Sequence, residues 1–316
     1  MTTSEVFNYD EPMKDVGIER CQYYAYNPII VEGTLLKNDG TAYTNTDVIS
    51  LITDGIMYLF DRISYKLSST DVETIDNPGV ATTMLGLLKY SNKGLNQLWY
   101  KDTASTALLT DNIGFAIRGS DNNAILRANN VVAGKVVLDK VALYIPQLDP
   151  SFEQESKLLS MISSKVTIQS AYRERRLNSM AVPQTTSFNL QLSPKASSER
   201  PRYVIVGFQT NKLLDQTTNP SLFDHCDLQN MQVVVSNKNY PELNYNLSFP
   251  NMKDLFPIMV FDVSNQRERL DSSIVNISTN ATFNTAVPAN TMAYALVISD
   301  KLLNFQSDGN RLTQIH

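Results

Sequence analysis

The chain has 316 residues, of which 42 % are hydrophobic and 19 % charged, with a net charge of −5. That length leaves room for about two domains. The low charge suits a strand-rich fold with many loops, and the negative balance excludes a chain that neutralises nucleic acid as a whole.

Two cysteines, Cys21 and Cys226, are too few for a disulfide framework and fit a reducing compartment. Two histidines, His225 and His316, exclude a His-rich zinc site and leave His225 alone for any serine–histidine triad. Met1–Asp10 is polar and acidic, which predicts no signal peptide, and no run of about 18 apolar residues predicts a membrane span.

Residues 1–26 read as an arm without periodic pattern; its Tyr23, Tyr24 and Tyr26 either dock on a neighbour or belong to an ordinary edge segment. From Ile29 the punctuation is regular. Ile29–Leu36 predicts a strand and Lys37-Asn38-Asp39-Gly40 a turn. In Asp54–Leu67, Ile56, Leu59, Phe60 and Ile63 have helical spacing while Ile63–Leu67 alternates, which predicts a strand with a helical approach. Asn77-Pro78-Gly79 is a turn, Ala81–Tyr90 a short helix and Ser91–Gly94 a turn. Asn112–Arg118 and Ala124–Leu126 are short strands. Gly134–Ile145 reads as a strand pair. It ends at Pro146-Gln147-Leu148-Asp149-Pro150, where two prolines are expected to break pairing and mark a domain boundary.

Ser151–Ser164 differs in kind. Phe152, Leu158, Leu159 and Met161, with Glu153 and Glu155 in the first turn, predict a linking helix capped by Ser151. Strands then resume at Lys165–Arg173 and at Ser187–Leu192, with Phe188, Leu190 and Leu192 on one face. Pro201–Tyr240 holds two Val/Ile-rich runs, Tyr203–Phe208 and Met231–Val235, joined by a polar loop with Asn211, Asp215, Asn219 and Pro220. Lys253–Val263 follows, where Pro257 predicts an edge or a bulge. Ser272–Phe283 and Ala293–Ile298 close the set. Roughly six to eight strands on each side of the helix, with no alternating helices, predict an all-β chain of two tandem sandwiches.

Few residues offer chemistry. Asp224-His225-Cys226-Asp227 could be a metal site or a thiolate–imidazole pair, or a strand-entry turn with a buried cysteine; neighbours on an extended chain point apart, which favours the turn. Arg173-Glu174-Arg175-Arg176 could meet nucleic acid, or be a solvated or subunit-contact face; the glutamate and the lack of interleaved aromatics favour the second. Trp99 could stack on a sugar or base, or anchor a core or interface. The glycines are scattered without a phosphate-loop pattern, and the Asn246, Asn276 and Asn280 triplets read as chance matches to the glycosylation signal. No catalytic, cofactor-binding or metal-binding residue is predicted, and no cofactor.

Seven motifs carry a resemblance. They are GIERCQYYAY (17–26), GLNQLWYKDT (94–103), PRYVIVGFQT (201–210), NPSLFDHCDLQN (219–230), NYPELNYNLSFPN (239–251), DLFPIMVFDVS (254–264) and ALVISDKLLNFQSDGN (295–310). In that order the chain resembles the double jelly-roll major capsid proteins, or hexons, of the adintovirus and Polinton/Maverick type. The resemblance implies two tandem jelly rolls: an arm at 1–26, a first jelly roll at 27–150, a linking helix at 151–165, a second jelly roll at 166–310 and a tail at 311–316. It also implies homotrimers forming pseudo-hexagonal capsomers of an icosahedral shell, beside a penton or minor capsid protein. A virion location is expected, with synthesis in host cytoplasm or nucleus, no secretion, no enzymatic activity and no specific nucleic-acid or small-molecule ligand. Against the family pattern the chain is abridged near Ile30–Val31, Arg118–Gly119 and Met252–Lys253. The alternative function is a β-sandwich binding module, lectin-like or receptor-binding; an enzyme on a sandwich is the third reading, disfavoured by the scarcity of histidine.

Overall fold

The computed structural model describes residues 18–22, 29–52, 55–67, 70–89, 125–143, 147–192, 199–212, 215–235, 237–247, 257–264, 276–307 and 312–315. The Tyr23–Tyr26 cluster, the Ser91–Gly94 turn, Trp99, the Asn112–Arg118 strand and the points near Arg118–Gly119 and Met252–Lys253 lie outside these residues.

Among the described residues the first half holds eight strands: β1 (Ile18–Gln22), β2 (Ile29–Lys37), β3 (Ile49–Leu51), β4 (Arg62–Leu67), β5 (Thr70–Asp76), β6 (Ile125–Arg127), β7 (Gly134–Leu143) and β8 (Gln147–Pro150). They pair antiparallel as β1 with β8, β2 with β7, β3 with β6 and β4 with β5. Each pair is nested inside the last. After helix α2 (Phe152–Ser163) the described residues hold nine more strands, of which the first eight are β9 (Ile168–Val182), β10 (Ser187–Gln191), β11 (Glu199–Thr210), β12 (Leu228–Val235), β13 (Lys238–Tyr240), β14 (Met259–Asp262), β15 (Ile277–Phe283) and β16 (Thr291–Ser307). The nesting repeats as β9 with β16, β10 with β15, β11 with β14 and β12 with β13. A chain folded into nested antiparallel pairs and then rolled is a jelly roll. The protein is an all-β double jelly roll.

In the second half the roll closes into two sheets. One runs β14-β11-β16 with β9 on the far side of β16, and the other runs β10-β15-β12-β13. β17 (Leu312–Ile315) extends the first sheet beside the end of β16. Their inner faces enclose a core that includes Phe188, Leu190, Val204, Val206, Phe208, Met231, Val233, Ile277 and Val297.

The β11–β16 sheet is buried on its other face too. Ile205, Tyr294 and Leu296 point away from the sandwich and pack against Tyr58, Val80, Ala81 and Met84 of the first half. Burial on both faces explains why VIVGF and AYALV read as continuous apolar runs where a one-sided strand would alternate. The first-half residues come from a 3-10 helix, Gly55–Leu59, and helix α1 (Pro78–Lys89).

Several expectations need correction. Gly134–Leu143 is one ten-residue strand and not a pair, because Asp139 is taken up as a bulge opposite Glu32 and Gly33 and makes no turn. The two prolines do not prevent pairing: Gln147–Pro150 forms β8, with Pro150 at its final position opposite Ile18, where a missing N–H costs the ladder least. The Asn-Pro-Gly turn is the first turn of α1. Asn77 has φ 47°, its carbonyl accepts the Ala81 N–H at 3.3 Å, and Pro78 occupies the first helical position, where no N–H is needed. Ser151 sits at the cap of α2 but its side chain makes no capping bond. Pro257 precedes β14 and lies outside it, and β14 is the edge strand of its sheet, as the proline suggested.

Candidate assembly surfaces

The Asp224–Asp227 cluster forms a corner between strands. The chain leaves β11 and returns by a bridge in which the Asp224 N–H donates to the Phe208 carbonyl at 2.8 Å. The Asp224 carboxylate accepts the Thr210 N–H and the Lys212 ammonium, each at 2.8 Å. Cys226 and Asp227 both have positive φ, so the turn into β12 is tight. His225 Nδ1 accepts the Asp227 N–H at 2.9 Å, and the Cys226 thiol turns into the core. Burial pushes that thiol up to about 11, far from a nucleophilic thiolate. A cleft of about 500 Å³ beside it is lined by Pro257, Thr285 and Pro288 among others. Among the described residues no group of three or more His, Cys, Asp or Glu could hold a metal ion.

The arginine cluster splits across β9. Arg173 lies on the outer face, where Asp300 of β16 accepts from its Nε at 3.4 Å and from Arg202 Nε at 2.6 Å. Glu174 faces inward with its side chain 3 % exposed, and Lys301 Nζ donates to it at 2.9 Å. Arg176 lies 3.9 Å from the same carboxylate. The Arg175 N–H donates to Glu73 of β5 at 2.9 Å, and the Tyr172 hydroxyl donates to the Val72 carbonyl at 2.5 Å. This stretch binds the two halves together and continues the sheet.

The polar loop between β11 and β12 is the other clamp. The Gln216 side chain meets the Gly134 backbone twice: Gly134 N–H donates to Oε1 at 3.0 Å, and Nε2 donates to the Gly134 carbonyl at 2.7 Å. The Pro220 carbonyl accepts from Tyr58 Oη at 3.1 Å and from Gln209 Nε2 at 2.5 Å. Sequence reading placed this loop correctly but gave no sign of its joining role, which depends on residues far upstream.

Among the described residues, three surfaces bear on assembly. Helix α2 buries none of its residues; Phe152 is 84 % and Leu159 57 % exposed. On β7, Val137, Leu138 and Val141 are exposed. The third is the outer face of the β10-β15-β12-β13 sheet. It presents Ser187, Asn189 and Gln191 from β10 and Ser278, Asn280 and Thr282 from β15. Asn189 Nδ2 donates to Asn280 Oδ1 across the strands. Asn230, Gln232 and Val234 of β12 continue the rows. The Asn280 glycosylation triplet therefore lies on a sheet face.

Residues 111–254 match the family model of the double jelly-roll-like domain. A chain of the Sputnik virophage structure, determined by cryo-electron microscopy, matches with TM-score 0.51 and 8 % identity, covering 95 % of this chain and 89 % of that one. The quasi-atomic model of the PBCV-1 virus capsid gives TM-score 0.49 and 9 % identity, over 94 % of this chain and 99 % of that one. No curated protein matches the sequence. At such identity the Sputnik likeness speaks to the fold, and it agrees with the twin nests of strands.

Proposed function

We propose that this protein is a major capsid protein of the adintovirus or Polinton/Maverick type, whose copies form trimeric pseudo-hexagonal capsomers of an icosahedral shell. The observation that carries this reading is the repeat of the whole eight-strand nest in one chain. Two like nests of strands held in one chain let three copies present six similar corners. The seven motifs support the type, and the likeness to a Sputnik virophage chain supports a particle-forming role. Its work is assembly: rigid sandwiches, no catalytic step and no cofactor. The exposed apolar residues of α2 and β7 suit contacts within the trimer, since permanent interfaces are the more apolar ones and typically bury above about 2,000 Å². A penton or minor capsid protein completes the shell, and the protein resides in the virion.

Light scattering of the purified protein, with electron microscopy of the same sample, tests this. A stable trimer or shells of hexagonal capsomers is the expected result. A clean monomer at high concentration overturns it and favours a binding module.

A further inference from the structure

We propose that the outer face of the β10-β15-β12-β13 sheet is the surface by which one capsomer meets the next, packing against the same face of a second copy. This rests on the capsid reading above and adds which face joins the units and how tightly.

The first argument is charge. A solvated protein surface commonly has about a quarter to a third of its residues charged. On this face the outward positions of β10 and β15 are all serine, threonine, asparagine or glutamine, and those of β12 are Asn230, Gln232 and Val234. The chain as a whole carries −5. Two copies repel, and they repel least where neither presents a charge. Depletion of charge is also what distinguishes the centre of protein interfaces from the rest of a surface.

The second argument is chemistry. Asn189, Asn280 and Gln232 stand in one cross-strand row at the middle of the sheet. Carboxamides both donate and accept, so a row of them is self-complementary across a two-fold axis. Along β10, β15 and β12 a partner of fixed charge has nothing to pair with; the charges of this sheet, Lys238 of β13 paired with Glu242, lie at its edge. No aromatic side chain lies among these outward positions, so a sugar ring has nothing to stack on.

The third argument is size. Four strands about 4.8 Å apart, with five or six residues rising about 3.4 Å each, give a flat face of about 400 Å². Two copies together bury about 800 Å², below the roughly 1,200 Å² of a stable complex. One such contact is weak. Repeated around a lattice it holds by multiplicity and remains reversible while the shell corrects its errors. The face is therefore too small to build the unit and suited to joining finished units.

Two variants at the centre of the face test this, Asn280→Lys and Asn280→Glu. Asn280 is exposed and its cross-strand neighbours are uncharged, so neither variant gains an internal ion pair. Should either fail to fold by circular dichroism, Asn189→Lys and Asn189→Glu on β10 replace them. Unit mass is read at low concentration by light scattering, and association of units at high concentration by sedimentation and microscopy. Each variant alone should keep the wild-type unit mass and lose association at least about tenfold. Mixing the lysine and glutamate variants should restore it, because only face-to-face packing brings unlike charges together. Association unchanged in the single variants overturns the proposal. So does loss without rescue on mixing, which means the face meets a different surface, and so does breakdown of the unit itself. Wild-type protein that never associates ends the capsid reading and this inference with it, a result visible before any substitution is made.

Discussion

Two residues show how little slack the sandwich has. Gly207 sits mid-strand in β11, where glycine is costly unless something approaches closely. A Cβ there would lie 2.5 Å from the ring of Phe223. Gly207→Ala is therefore expected to destabilise the fold by about 1–3 kcal/mol through overpacking, read as a lower urea midpoint at unchanged slope. Lys301 is the second. It is the nearer of the two cations at the inward Glu174 carboxylate. Lys301→Met should cost about 1–3 kcal/mol, because it removes the closer of these cations from a carboxylate already out of water and leaves Arg176, at 3.9 Å, to offset part of the loss. The double variant Lys301→Met with Glu174→Leu should recover most of that loss in the same urea titration. A double variant as weak as the single one would show that the ion pair contributes little and that packing by the lysine stem matters more.

At the scale of elements, the second half was legible where strands alternate and hidden where they do not. Ser187–Leu192 declared its inward face through Phe188, Leu190 and Leu192, and the structure buries those three. β16 was recognised only as Ala293–Ile298, yet it runs to Ser307. Ser299, Asp300 and Lys301 end the apolar run, but they stay extended between β9 and β11, with Arg202 and Glu174 pairing the charges of Asp300 and Lys301. The loop between β11 and β12 tells the same story. Asp215 accepts the Thr217 hydroxyl at 2.7 Å and its N–H at 2.9 Å, and these bonds hold its carboxyl below the usual 3.8. The sign follows: the folded value is depressed, so this turn's contribution is present above 3.8 and is lost as pH falls through the lower folded value. Thr217→Val should move the Asp215 titration up towards 3.8, as followed by carboxyl NMR. Gln216 beside it should behave differently. Gln216→Ala strips both partners from the Gly134 backbone, a buried residue, and should cost about 1–3 kcal/mol. Hydrogen exchange at the start of β7 should rise before exchange in β11 does.

At the scale of the molecule, the open question of mechanics is whether two barrels behave as one block, which a rigid capsomer requires. The candidate surfaces were not legible in the sequence for the same reason the block was not: Asn189, Gln232 and Asn280 share a face, and Met84 and Leu296 share a core, only after the nests close. Met84 is 0 % exposed and packs in the cluster that includes Tyr58 on its own side and Leu296 on the other. This seam, with the clamp at Gln216 and the contacts of β5 on β9, joins the halves. Met84→Ala opens a cavity in the seam and should cost about 3 kcal/mol. Where that cost falls is the informative part. In the wild type, hydrogen exchange in α1 and in β16 should slow to the same limiting rate, because the intact seam makes opening α1 alone as costly as opening the whole block. In the Met84→Ala protein, α1 should exchange well before β16, since the core of the second sandwich is closed by its own two sheets and needs nothing from α1. Equal acceleration in both elements would instead show that the second jelly roll depends on the first for its own stability, and that the block is a single cooperative unit down to its cores.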